Sequence, residues 1–142
     1  MRALILHTTD RNSKNFAEAM VNELSKQNCR AEAIATDQAG SSPVTTAQYQ
    51  VVCVMSAFQG FWKPQLPAEL DALLRRCSRL EGKKGVAFVT AKLGSGKALK
   101  VLMARMEQQG MIVEDFAAVR GANEAPALVK RITKLVPEGP GT

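Results

Sequence analysis

Short, wholly apolar runs alternate along this chain with longer amphipathic stretches, and few folds accommodate that alternation. The apolar runs occupy residues 3–6, 33–35, 51–55 and 86–89, and a fifth lies within residues 111–119. Such runs are typical of strands that are buried on both faces of a sheet. The chain is therefore predicted to be an α/β three-layer sandwich, in which helices cover both faces of a parallel sheet through right-handed crossovers.

Four stretches with apolar residues at helical spacing supply the helices. Their apolar faces are Phe16, Ala17, Met20, Val21 and Leu24; Leu70, Leu73, Leu74 and Cys77; Leu99, Leu102, Met103 and Met106; and Leu128, Val129, Ile132 and Leu135. The second helix is introduced by Pro64 and Pro67 and is expected to end near Gly82, whereas the third is expected to begin near Ser95 and stop at Gly110. Residues 37–48 are the longest loop. We expect one domain over residues 1–136 and a flexible tail over 137–142.

Composition and cysteine use narrow the class of protein. The chain is 46% hydrophobic and 23% charged, it has no apolar run near the ~20 residues that span a bilayer, and its first residues lack the basic region and long apolar core expected of a signal peptide. A cytoplasmic protein is expected. Cys29, Cys53 and Cys77 form no CxxC or Cys/His pair, which argues against a disulfide framework, a zinc site or a dithiol centre. A catalytic triad would need His7, the only histidine, but a polar residue at a strand end is the simpler interpretation.

The first apolar run leads directly into a polar loop, residues 8–13, that opens the first helix. Thr8, Thr9, Asp10, Asn12 and Ser13 offer hydroxyl and capping groups there. An anion at this position would receive backbone N–H bonds and the positive end of the helix dipole. The same residues also suit an ordinary helix cap. The loop therefore predicts either a phosphate site or a well-capped helix.

Two further loops leave a strand and enter a helix, at residues 56–64 and 90–97. In a doubly wound sheet of strand order 2-1-3-4-5, all three loops lie at the carboxyl edge, where ligands bind. This arrangement favours a pocket with a phosphate at the first loop and a flat ring between the other two. The alternative is that all three are ordinary connections.

With these loops in place, nearly the whole chain resembles the flavodoxin-like family, in particular short-chain flavodoxins and the flavodoxin domain of flavodiiron proteins. Thr8, Asn12 and Ser13 match the family's phosphate loop in type, and Gly94 and Gly96 resemble its Gly-rich loop. The resemblance implies FMN as the cofactor. The residues that it places around FMN are Thr8, Thr9, Asp10, Arg11, Asn12, Ser13, Ser56, Ala57, Phe58, Trp62, Ala91, Lys92, Gly94 and Gly96. It implies no catalytic residue and no metal.

Several residues depart from the family's pattern. Asp10 stands where the family has Thr, and Arg11 where it has Gly. Ala57 and Phe58 replace a frequent Pro-Thr pair, and the third loop lacks the usual aromatic residue. Asp10 would repel a phosphate, whereas Arg11 could compensate by a charge-assisted hydrogen bond.

Two hypotheses follow. The first is an FMN-binding protein that transfers electrons or supports flavin-dependent reduction without a covalent intermediate. The second is a flavin-free binding or assembly domain of the same fold. A P-loop would need Gly at position 91 and Ser or Thr at 98, but the chain has Ala91 and Ala98. A receiver domain would need an acidic phosphoacceptor after the third strand, where Ser56 and Ala57 stand.

The net charge of +6 predicts an acidic partner protein, which for an electron carrier would be a redox partner. Most of the basic side chains are expected on solvated helix faces. A nucleic-acid or anionic-membrane surface is the lesser alternative, because no binding motif or interleaved aromatic pattern supports it.

Overall fold

The computed structural model describes residues 1–38 and 42–136. Its main sheet has five parallel strands, which are β1 (Arg2–His7), β2 (Arg30–Ala35), β4 (Val51–Ser56), β6 (Lys84–Thr90) and β7 (Ile112–Val119). Their order across the sheet is β2-β1-β4-β6-β7. Counted among the long strands alone, this is the predicted order 2-1-3-4-5, and the predicted fold class is confirmed.

The helices are α1 (Arg11–Lys26), α2 (Ala68–Arg76), α3 (Ser95–Gln108) and α4 (Ala125–Thr133), and a 3-10 turn (Ala122–Glu124) leads into α4. None of them is long and apolar enough to cross a membrane, within the described ranges.

Alternate side chains of the strands enter two separate apolar cores, one on each face of the sheet. Leu4 and Leu6 of β1 pack with side chains of α2 and α3, whereas Ala3 and Ile5 pack with side chains of α1 and α4. All six residues of β4 are buried, which agrees with its wholly apolar run. Because β1, β4 and β6 are parallel neighbours in the sheet, their carboxyl ends lie side by side at one edge.

Two short strands were not predicted. β3 (Val44–Thr45) pairs with β5 (Cys77–Ser78) in a separate parallel ladder. The expectations that the second helix includes Cys77 and ends near Gly82 are therefore wrong: α2 ends at Arg76, and Cys77 has an extended backbone. Its N–H still bonds the carbonyl groups of the last helical turn, and its backbone then pairs with Val44. An apolar residue at helical spacing is equally suited to the first position after the helix.

Two smaller differences concern the ends of elements. β2 begins at Arg30 rather than near residue 33, because its pairing with β1 extends back to Arg2. α4 ends at Thr133, so Leu135 lies beyond the helix although it packs against the core. Part of the predicted loop 37–48 and the whole predicted tail 137–142 lie outside the described residues.

Candidate functional site

The three polar loops meet at the carboxyl edge, as the strand order requires. Thr8 joins the first loop to the second, since its N–H donates to the Met55 carbonyl at 3.1 Å and its Oγ1 accepts from the Ala57 N–H at 3.0 Å. Asn12 Nδ2 lies 3.5 Å from Thr90 Oγ1, at the start of the third loop. Hydrogen bonds thus link all three loops.

Asp10 is the N-cap of α1, and its carboxylate occupies the position at which a helix N-terminus binds anions. Oδ2 accepts from the Ser13 N–H at 3.0 Å, and Oδ1 accepts from the Thr8 hydroxyl at 2.6 Å. Partial burial opposes ionisation of Asp10, but the hydrogen bonds from Thr8 and Ser13 outweigh it and hold the pKa below its ordinary value of 3.8. The carboxylate is therefore ionised at neutral pH.

The other residues of the first loop surround this cap. Thr8 and Ser13 are buried, and their hydroxyl oxygens lie 3.1 Å apart. Thr9 and Arg11 are exposed, and Asn12 is half-buried. Arg11 and Asn12 begin the helix, so their N–H groups lie in its first turn. The structure thus brings the predicted residues of this loop together around the Asp10 carboxylate.

The aromatic residues of the second loop have opposite environments. Phe58 is 2% exposed and belongs to the core beneath α2 and α3, whereas Phe61 and Trp62 are 55% and 72% exposed. Ser56 is buried, and its hydroxyl donates to the Ala57 carbonyl at 2.7 Å. Of the two aromatic residues that the resemblance places around FMN, Phe58 and Trp62, only Trp62 is open to solvent.

The third loop lies directly against the second. Gly94 has φ +95°, and a Cβ added there would lie 2.6 Å from the Phe61 Cα. Two lysines from this region cover aromatic rings: Lys92 Nζ is 4.7 Å from the Phe58 centroid, and Lys97 Nζ is 4.7 Å from that of Trp62. Ala91 donates its N–H to Val119 in β7, and no atom within 4 Å would contact a Cβ at Gly96.

These contacts disfavour FMN at the position that the resemblance implies. A phosphate at the first loop would meet the ionised Asp10 carboxylate, which already accepts the Ser13 N–H and the Thr8 hydroxyl. A flat ring between two walls needs about 7 Å, because each face needs a contact of about 3.5 Å. There is no such gap at the contact between Phe61 and Gly94, and Lys92 already lies over the Phe58 ring.

Sequence reasoning missed two features of this edge. The first is the contact between Phe61 and Gly94, of which the glycine is the only signal. The second is a pocket of about 540 Å³ between residues 57–59 and 65–69, whose lining includes Phe58, Leu66 and Glu69. Its residues come from one loop and the start of α2, and no periodic pattern marks them.

His7 and the three cysteines, the other residues considered for catalysis or metal binding, are buried in the fold. His7 is buried, with Nδ1 2.8 Å from the Thr8 carbonyl oxygen. Cys29, Cys53 and Cys77 are buried free thiols, and burial raises the pKa of Cys53 to about 12. Within residues 1–38 and 42–136, no group of three or more His, Cys, Asp or Glu side chains could hold a metal ion.

Comparison with known proteins gives structural matches alone. No family profile matches the chain, and no curated protein matches it in sequence. Oxidised flavodoxin 1 from Bacillus cereus superposes with a TM-score of 0.75 at 13% identity, covering 96% of this chain and 100% of the flavodoxin.

Two other flavodoxins agree with this match. The two-electron reduced flavodoxin of Megasphaera elsdenii gives a TM-score of 0.63 at 18% identity, over 90% of this chain and 98% of its own. A short-chain flavodoxin associated with a non-canonical PDU bacterial microcompartment gives 0.68 at 12% identity, over 95% and 98%. At identities this low, the structural matches establish the architecture but not the chemistry. The chain has the flavodoxin fold.

Proposed function

We propose that this protein is a flavin-free binding domain of flavodoxin fold, which acts through contact with a partner protein. The observation that carries the proposal is the Asp10 carboxylate at the N-terminus of α1, hydrogen-bonded to Ser13 and Thr8. A ligand phosphate would need those donors. In this chain the Asp10 carboxylate accepts their hydrogen bonds instead.

The second and third loops support the same conclusion independently. Phe61 packs on Gly94, so the two loops that would lie on either side of a ring are in contact. The third loop offers Lys92 and Leu93 in place of an aromatic wall. Binding of FMN would require both the departure of Asp10 and the separation of two packed loops, and each change removes contacts that stabilise the folded chain.

The second candidate is an FMN-binding protein that transfers electrons or supports flavin-dependent reduction, with an acidic redox partner. It is favoured by the similarity to flavodoxin structures and by the Thr8, Asn12 and Ser13 side chains of the first loop. In this candidate the first loop holds the phosphate, with Arg11 as a charged donor, and Trp62 contacts the ring. The flavin would supply the electron chemistry, and no side chain would act as an acid or base.

Absorbance and fluorescence distinguish the two candidates. The purified protein is expected to be colourless, to release no flavin on denaturation, and to leave FMN fluorescence unquenched in titration. Flavin absorbance with FMN identified by mass spectrometry, or saturable quenching, would establish the second candidate instead.

A double variant identifies which loops exclude the cofactor. Asp10→Thr with Arg11→Gly restores the residue types of the flavodoxin phosphate loop. Quenching by this variant alone would assign the exclusion to the first loop. Absence of quenching in both proteins would assign it to the closed second and third loops as well.

A further inference from the structure

Three large apolar side chains lie exposed together at the carboxyl edge of the sheet. Phe61 and Trp62 come from the second loop, and Leu93, which is 75% exposed, comes from the third. The two loops are in contact, because the Phe61 backbone packs on Gly94, next to Leu93. We call Phe61, Trp62 and Leu93 the apolar patch. Exposed apolar patches of this kind mark interaction sites.

The two loops that carry the apolar patch have charged side chains of one sign. Lys63, Lys92 and Lys97 are all exposed, and residues 57–63 and 91–97 contain no acidic residue. Lys97 is held over the Trp62 ring, with its Nζ also 3.5 Å from the Trp62 carbonyl oxygen. Lys92 is held over Phe58. Aromatic contacts therefore fix two of the three positive charges beside the patch.

We propose that the apolar patch and these lysines form the docking surface for an acidic protein segment that carries an aliphatic or aromatic side chain. The inference rests on the proposed function, because a bound flavin ring would compete for the same surface. The apolar side chain would pack between Trp62 and Leu93, and its neighbouring carboxylates would meet the lysines. Packing of Phe61 on Gly94 holds the two loops together before the partner arrives, which reduces the entropy lost on binding.

A protein segment suits this surface better than a nucleic acid does. Single-stranded nucleic acids bind on aromatic faces along a basic groove. Here Lys97 covers one face of Trp62, and the most exposed member of the patch is the aliphatic Leu93, on which a base gains no stacking.

Trp62 is the chain's only tryptophan, so its fluorescence reports directly on the patch. The probe is a short synthetic peptide of Glu and Leu, and its Gln and Leu counterpart tests the role of charge. Saturable blue-shifted emission is expected with the acidic peptide and not with the neutral one. Leu93→Ser and Lys63→Glu should each weaken binding by about tenfold.

Matched controls lie elsewhere on the surface. Phe116→Ser changes an aromatic residue of β7 that is 51% exposed, and Lys130→Glu reverses a charge on α4. Both should bind the acidic peptide as the unmodified protein does, with circular dichroism confirming that every variant is folded. Equal weakening by the control and patch variants, or equal binding of both peptides, would overturn the proposal.

The two proposals fail in distinguishable ways. Absence of any shift with the acidic peptide, in a protein that also leaves FMN unquenched, would overturn the docking surface alone. A protein that binds FMN and releases it when the acidic peptide is added would overturn the flavin-free function and support the surface. A stronger shift with anionic vesicles or oligodeoxythymidylate than with the acidic peptide would overturn the choice of a protein partner.

Discussion

Replacing Asp10 by Ala should destabilise the folded protein measurably. The substitution removes the acceptor for the Ser13 N–H and for the Thr8 hydroxyl. Loss of an N-cap costs about 0.5–2 kcal/mol. Because a second hydrogen bond is lost here, we expect the upper part of that range, about 1–2 kcal/mol. At about 3 °C per kcal/mol for a chain of this size, the unfolding midpoint should fall by about 3–6 °C.

Asp10→Asn is the matched control, because Asn caps helices about as well as Asp. It removes the charge and its interaction with the helix dipole, so we expect a loss of about 0.3–1 kcal/mol. At neutral pH the midpoints should therefore decrease in the order unmodified protein, Asp10→Asn, Asp10→Ala.

The effect of Asp10→Ala should also depend on pH, with a defined sign. Since the folded-state pKa of Asp10 lies below 3.8, the stabilisation from its charge is present above the unfolded value of about 3.9. It is lost as the pH falls through the lower, folded value. Thermal unfolding followed by circular dichroism at pH 7 and at progressively lower pH measures both effects. Equal midpoints of Asp10→Ala and the unmodified protein at pH 7 would refute the capping role, and a difference unchanged in acid would refute the role of charge.

Two further predictions concern other parts of the chain. Burial and the hydrogen bond to Glu32 raise the pKa of Tyr49, the only tyrosine, to about 12. Ultraviolet titration should therefore find this pKa above 10, and Glu32→Gln should lower it. A pKa near 10 in the unmodified protein would contradict the buried contact. Gly94 has φ +95° and lies against Phe61, so Gly94→Ala should cost about 1–3 kcal/mol of stability in denaturant unfolding. A Cβ at Gly96 would meet no neighbour within 4 Å, so Gly96→Ala should be neutral or slightly stabilising. Equal effects of the two substitutions would show that the loops are not packed there.

The main sheet could be predicted from the sequence because each long strand carries its own signal. Residues 51–55 of β4 are all apolar, and that pattern is typical of a strand buried on both faces of a sheet. The short strands β3 and β5 carry no comparable signal, since two residues have no period. Cys77 fitted the stripe of the preceding helix, and only pairing with Val44 assigns it to a strand.

The candidate site was predictable as a location and unpredictable as an arrangement. The strand order alone brings the first, second and third loops to one edge. Whether Asp10 caps the helix or leaves it open to a ligand depends on side-chain positions that no pattern encodes. In the second loop, the sequence could not predict that Phe58 is buried and Trp62 exposed, because an irregular loop has no periodicity from which to assign an inner face.

The cap formed by Asp10 bears on how much of the protein is folded under different conditions. A protein that leaves its anion donors to a ligand gains stability by mass action, about 2.7 kcal/mol when the free ligand is at 100 times its dissociation constant. Here the Ser13 N–H already has its acceptor within the chain. The folded fraction should therefore stay constant as the supply of phosphate-containing ligands rises and falls.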